Sequence, residues 1–189
     1  MATLDRIADG VIERWLAVAN WGIALFAIAP FAAPILMATG LEDVARSIYW
    51  LYSFTCHQLP SHSWFLLGQQ VAFCQRDTAI YLSMVVGGVL YARQRAWTRG
   101  LPWWAYVLAS LPIALDGGAA TLGLRESTPL LRSVTGAMFG LATTWFVYPL
   151  MDRSLAQLGP AARTTIRLET ALELTSHSAG SAARTHRSL

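Results

Sequence analysis

Charge is what this 189-residue chain has little of: 13% of its residues are charged, about half the share of an average soluble domain. Lysine is missing altogether, so all 14 basic residues are arginine and the net charge is only +3. A chain this poor in charge is not an ordinary nucleic-acid binder, in spite of a pI of about 9.2. Apolar side chains make up 54% of it and mean hydropathy is +0.41, too hydrophobic for a disordered chain.

What is present is a set of charge-free runs. Trp15 to Leu41 contains no charge for 27 residues, Thr78 to Ala92 for 15, Gly100 to Leu115 for 16 and Ser133 to Met151 for 19. A helix crosses a bilayer core of roughly 30 Å with about 20 apolar residues. The outer two runs meet that length, and the middle two need snorkelling arginines or a thinned bilayer. A soluble core with four such runs would keep little polar surface. The expected fold is therefore all-α: a polytopic helical membrane protein with four spans, about 16–39, 78–92, 100–115 and 133–151, forming an integral membrane domain over 1–151. Residues 152–189 form a cytoplasmic tail, weakly amphipathic through Leu174 and then disordered.

The first run does not read as a cleaved signal, because Asp5, Asp9 and Glu13 flank it and it exceeds a signal core in length. Leu4, Ile7, Val11, Ile12 and Trp15 recur at helical spacing ahead of it, which predicts an interfacial helix. Residues 42–55 read as a second amphipathic helix, on the outer surface, with Tyr49, Trp50 and Tyr52 at headgroup level. Arginines orient the chain. Ten fall in the start, the 93–99 loop and the tail, against four (Arg46, Arg76, Arg125, Arg132) in the other two loops. The positive-inside rule then places both termini in the cytoplasm of a multi-pass cell-membrane protein. Gly136 and Gly140 form a GxxxG, and Ser83 with Gly87 a small-xxx-small pair. Each fits a close helix contact, either within the bundle or with a membrane-helix partner or second copy.

The two outer loops carry the chemistry. Cys56 and His57 open the first, and Cys74, Gln75, Arg76 and Asp77 close it. The segment between Trp64 and Phe73 predicts a short hairpin or re-entrant turn with Gly68 at its tip, which would bring Cys56 and Cys74 together. Three readings follow: a structural Cys56–Cys74 disulfide, a zinc-like metal site of Cys56, His57, Cys74 and Asp77, or a thiol–quinone redox pair. Adjacent Cys and His side chains diverge unless the backbone turns. His62 reads as a surface histidine. The second loop supplies Asp116, Arg125, Glu126 and Arg132. Ionisable groups near membrane depth are costly, so they are paired or functional. Arg76, Arg125 and Arg132 would bind an anion, and Asp116 or Glu126 would act as acid, base or metal ligand. The competing reading is an ion-pair cluster that only locks the bundle.

Cys-His-Gln-Leu-Pro at 56–60, Cys-Gln-Arg-Asp-Thr-Ala-Ile-Tyr at 74–81, Asp-Gly-Gly at 116–118, Gly-Leu-Arg-Glu-Ser-Thr at 123–128 and Arg-Ser-Val-Thr-Gly at 132–136 together resemble the domain-of-unknown-function 2085 family of small membrane proteins. The resemblance implies a multi-span fold and brings no established activity. Relatives often carry a second Cys where this chain has Asp77. That pattern implies a site of three thiolates and an imidazole, in which this chain substitutes a carboxylate, a harder ligand that holds a soft metal less tightly. The expectation is a metal-bearing outer loop over an Arg/acid pocket for an anionic or lipid-linked ligand, which it binds or also processes. The alternatives are a non-enzymatic scaffold or assembly subunit with a structural disulfide, and the redox protein.

Overall fold

The structure, a computed structural model, describes residues 2–155, with side chains from residue 14 onward. Residues to Pro149 form one compact unit, and of the second unit only the end of the last helix, 150–155, is described. The tail expected from residue 152 is helical through Leu155, and the rest of it lies outside the described residues. Helix α1 spans Ala2–Ile28, a 3₁₀ turn covers Ala29–Phe31, and α2 covers Ala32–Ala38. Next come α3 (Glu42–Ser53), strands β1 (Ser63–Leu66) and β2 (Gln69–Cys74), α4 (Gln75–Gln94) and α5 (Trp103–Thr121). A last helix, α6, runs Pro129–Leu155.

The fold is mostly helical, with one correction: a two-stranded antiparallel sheet is present. It is the expected hairpin. Leu67 and Gly68 turn it with φ of 54° and 75°, the two left-handed residues that a tight type I′ connection requires. A second correction concerns the N-terminus, where no separate interfacial helix precedes the first span; α1 is continuous from Ala2. The amphipathic helix expected at 42–55 is present as α3.

Two helical stretches, Arg14–Ala38 and Pro129–Leu155, are long and apolar enough to cross a membrane on their own terms. Helices α4 and α5 have 20 and 19 residues, about 30 and 28 Å at 1.5 Å per residue, yet they fall short in apolarity. Gln75, Arg76 and Asp77 begin α4 and Arg93 and Gln94 end it, while α5 carries Pro112 and Asp116.

Local chemistry explains the break in the first stretch. Pro30 has no N–H, so the carbonyl four residues earlier, on Phe26, loses its helical donor. The Tyr52 hydroxyl of α3 donates to that carbonyl at 2.9 Å. Rings of Phe26, Tyr52, Phe73 and Tyr81 gather round the break at centroid separations of 4.8–5.6 Å. Ala33, Val71, Ala72 and Cys56 complete this core, so the hairpin is anchored by β2 while β1 stays exposed apart from Ser63.

The glycine patterns meet each other inside the chain. A methyl on Gly136 would stand 2.7 Å from the Arg76 carbonyl, and one on Gly140 would strike Ser83 and the Ile80 carbonyl. On the opposite helix, Gly87 abuts Thr144. The GxxxG of α6 and the small-residue pair of α4 thus form one seam within the chain, the first of the two expected kinds of contact. Asn20 ties α1 to the seam, donating to the Gly88 carbonyl at 3.1 Å and accepting from the Tyr148 hydroxyl at 2.8 Å.

Candidate metal and anion site

The hairpin returns the chain to where α3 ended, and this is what joins the cysteines. Gln58 takes a left-handed φ of 51°, and its side-chain amide donates to the Tyr49 carbonyl at 2.7 Å. Gln70 on β2 donates to the Gln58 carbonyl at 2.6 Å and to Ser63 Oγ at 3.0 Å. With the loop held at both ends, the Cys74 N–H donates to Cys56 Sγ at 3.2 Å. Cys74 also caps α4: its sulfur accepts from the Asp77 N–H at 3.4 Å and lies 3.2 Å from Asp77 Oδ2 as a thiol–carboxylate hydrogen bond. A helical capping pair three residues apart is a reason for the Cys-x-x-Asp spacing in its own right.

One candidate ligand atom each from Cys56, Cys74 and Asp77 lies within 4.8 Å of the others. Both cysteines are free thiols, so the expected alternative of a Cys56–Cys74 disulfide is not formed. Cys56 is buried and His57 exposed, the divergence expected of neighbouring side chains, and His57 lines the adjoining cavity outside the three-residue group. The thiols differ electrostatically. Cys56 is pushed up, first by its hydrogen bond with Cys74 and then by burial. Cys74 is pulled down, chiefly by that same bond, against the opposing effects of burial and the Asp77 charge. Cys74 is therefore the sulfur that ionises first.

The cavity beside these groups has a volume of about 400 Å³. His57, His62, Arg76 and Arg132 line it along with both cysteines and Asp77, and Gly117 and Thr121 of α5 close it. Arg76 Nη2 donates to Asp116 Oδ2 at 2.6 Å, Arg125 Nη2 to Oδ1 at 2.9 Å and Ser127 Oγ to Oδ2 at 2.8 Å. Asp116 is 3% exposed and its carboxylate already carries three donors, which suits it to positioning Arg76. Gly117 lets the guanidinium pass, since a methyl there would meet Arg76 Nη1 at 3.3 Å. Arg76 Nε is buried with no hydrogen-bond partner.

Arg132, 5% exposed, has no carboxylate partner among the described residues. Its Nη1 donates to Gln75 Oε1 at 3.2 Å, and Gln75 in turn donates to the Ser63 carbonyl at 3.4 Å. Arg125 sits at the exposed side of Asp116 and, like the exposed Glu126, does not line the cavity. His62 does line it, and its imidazole is held below the ordinary value by burial and then by Arg132 and Arg76, with Glu126 opposing. Sequence reasoning set His62 aside and missed Gln75 and Ser127. Both stood inside quoted motifs, Gln75 in 74–81 and Ser127 in 123–128, but neither was given a role.

Comparison with known proteins agrees with the motifs. The DUF2085 family, described as a predicted membrane protein, matches residues 56–146. An uncharacterized protein of Methanocaldococcus jannaschii is 31% identical over 146 residues, covering 74% of this chain and 94% of its own length. No solved structure matches the chain.

Proposed function

The chain belongs to the DUF2085 family of predicted membrane proteins, and on that premise we propose that it is a multi-pass protein carrying a zinc-class ion and an anion-binding cavity on its extracytoplasmic face. Four crossings, by α1–α2, α4, α5 and α6, are supported by the faces these helices leave open. Val86 and Val89 on α4 and Leu108, Leu111 and Leu115 on α5 are exposed, as lipid-facing side chains are in a membrane domain and large apolar patches of soluble proteins are not. The cavity draws on both loops assigned to the outer side, the 42–77 segment and the 116–132 segment, as an even number of crossings between them requires. The excess of arginine on the other side then keeps both termini cytoplasmic.

The observation that carries the metal reading is the grouping of Cys56, Cys74 and Asp77 within 4.8 Å. Zinc–sulfur bonds near 2.3 Å and zinc–oxygen bonds near 2.0 Å in a tetrahedron put ligands roughly 3.3–3.8 Å apart. The three groups reach that with side-chain adjustment, and the exposed His57 ring, which lines the adjoining cavity, is the fourth donor. Cys74, the thiol inclined to ionise, is the first to bind because the thiolate is the metal ligand. The anion reading rests on Arg76 and Arg132. Each lines the cavity, Arg76 Nε lacks an acceptor and Arg132 has no carboxylate partner among the described residues, so an oxyanion, free or on a lipid-linked group, would satisfy both. Asp116 orients Arg76 in this reading and carries no proton, and Glu126 flanks the rim.

Elemental analysis of detergent-purified protein tests the proposal. Zinc near one per chain, lost in Cys74→Ala, supports it. Absence of metal, with thiols that resist alkylation until reduced, overturns it in favour of a scaffold built on a disulfide. A reporter fused after Arg99 should stay cytoplasmic, and an external reporter there would overturn the topology.

A further inference from the structure

We propose that the groove between α1 and α4 at their cytoplasmic ends is a binding site for an anionic membrane phospholipid, distinct from the metal and anion cavity. The groove has a volume of about 700 Å³, within the range of small-molecule sites. Its walls are small or apolar: Ala17, Trp21 and Ala24 from α1, Val85 and Val89 from α4. Small residues on α1 make the trough, because they leave side-chain space that acyl chains can fill. Asn20 lies in it but is already engaged with Gly88 and Tyr148, so it makes no new polar demand on a chain lying there.

Charge is confined to one end. Arg14, Arg93 and Arg95 line the groove, and among the described residues no acidic side chain does. Arg14 begins the apolar stretch of α1 and Arg93 lies in the last turn of α4, so the guanidinium groups gather where both helices leave the apolar region. Arg95 also lies over the Trp15 ring at 6.0 Å, a cation–π geometry that fixes its position. A cluster of arginines above an apolar trough matches a phosphodiester above acyl chains. Arginine adds bidentate geometry toward phosphate oxygens, and the cytoplasmic leaflet is the one that presents anionic lipid. Arg76 and Arg93 lie 17 residues apart on one helix, about 25 Å, so the two sites are at opposite ends of α4. The lipid site requires α4 to lie in the bilayer beside α1 but needs no metal, so the two proposals can fail separately.

Native mass spectrometry of the detergent-purified full chain tests it, with phosphatidylglycerol and phosphatidylcholine of identical acyl chains as probes. Phosphatidylglycerol should be retained about tenfold more tightly than phosphatidylcholine. The Arg14→Gln/Arg93→Gln double variant should lose that preference, a weakening of roughly ten- to thirtyfold for two membrane-surface arginines. Val89→Trp, which fills the trough and leaves the arginines, should lower retention of both lipids. Arg46→Gln, a single arginine removed at an exposed position of α3, should change nothing, and glycerol phosphate should not compete. Equal retention of the two lipids, an unchanged double variant, an equal loss in Arg46→Gln, or competition by glycerol phosphate would each overturn the site.

Discussion

Gly136→Ala probes the seam on which the site is built. The added carbon would stand 2.7 Å from the Arg76 carbonyl oxygen and 3.3 Å from Ala79 Cβ. Carbon–oxygen contacts in proteins begin near 3.3 Å, so α4 and α6 must part by about 0.6 Å. The carbonyl belongs to the α4 backbone and cannot rotate away as a side chain would. Overpacking of this kind costs about 1–3 kcal/mol. The displaced residue is the one that reaches Asp116 at 2.6 Å and precedes Asp77, so the damage should reach the proposed metal site as well as the bundle. Gly118→Ala is the matched control: it lies on α5 with no heavy atom within 4 Å of the added carbon, and alanine favours a helix by up to about 1 kcal/mol over glycine. Thermal loss of monodispersity in detergent, with zinc content measured on the same samples, reads both. Gly136→Ala should melt earlier and hold less zinc while Gly118→Ala melts no earlier than the parent chain. A Gly136→Ala protein with parental melting and full zinc, or an equal fall in Gly118→Ala, would refute the seam argument.

Three further outcomes follow from the site and core. Asp116→Ala removes the counter-charge of Arg76 and should destabilise by about 3 kcal/mol, as expected for breaking a buried pair. Arg125→Gln, on the exposed side of the same carboxylate, should cost at most about 1 kcal/mol; chemical denaturation in mixed micelles separates the two, and equal losses would contradict the assigned burial. In metal-free protein Cys74 should alkylate with a half-point below the usual thiol value near 8.5, because its folded-state pKa is lowered, while Cys56 stays protected across the same range; mass mapping of the labelled peptides checks the order, and faster labelling of Cys56 would refute it. Tyr52→Phe leaves the Phe26 carbonyl without a donor next to Pro30 and should cost about 1–2 kcal/mol, read as a lower melting temperature.

The hairpin, α3 and the meeting of Cys56 with Cys74 were legible because each has a local signature: a glycine at a tight turn, an amphipathic period, and two cysteines flanking a short reversal. The seam was half legible. Small residues at a spacing of four announce that a neighbour comes close, but only the packed chain says that Gly140 meets Ser83 and Gly87 meets Thr144. Span apolarity was misjudged at α4 and α5 because runs between charges ignore the polar caps that helices extend into. Gln75, Arg132 and Ser63 are joined across 57 and 12 residues of sequence, and no local pattern encodes a bond of that length. His62 became a cavity residue only once Arg76 and Arg132 converged on it.

X-ray absorption at the zinc edge of the purified protein tests the central claim most directly. Two sulfur neighbours near 2.3 Å with two nitrogen or oxygen neighbours near 2.0 Å, falling to one sulfur in Cys56→Ala or Cys74→Ala if the ion is kept, is the result the Cys56, His57, Cys74 and Asp77 site predicts. A shell of nitrogen and oxygen alone, or two sulfur neighbours that survive either substitution, would contradict it.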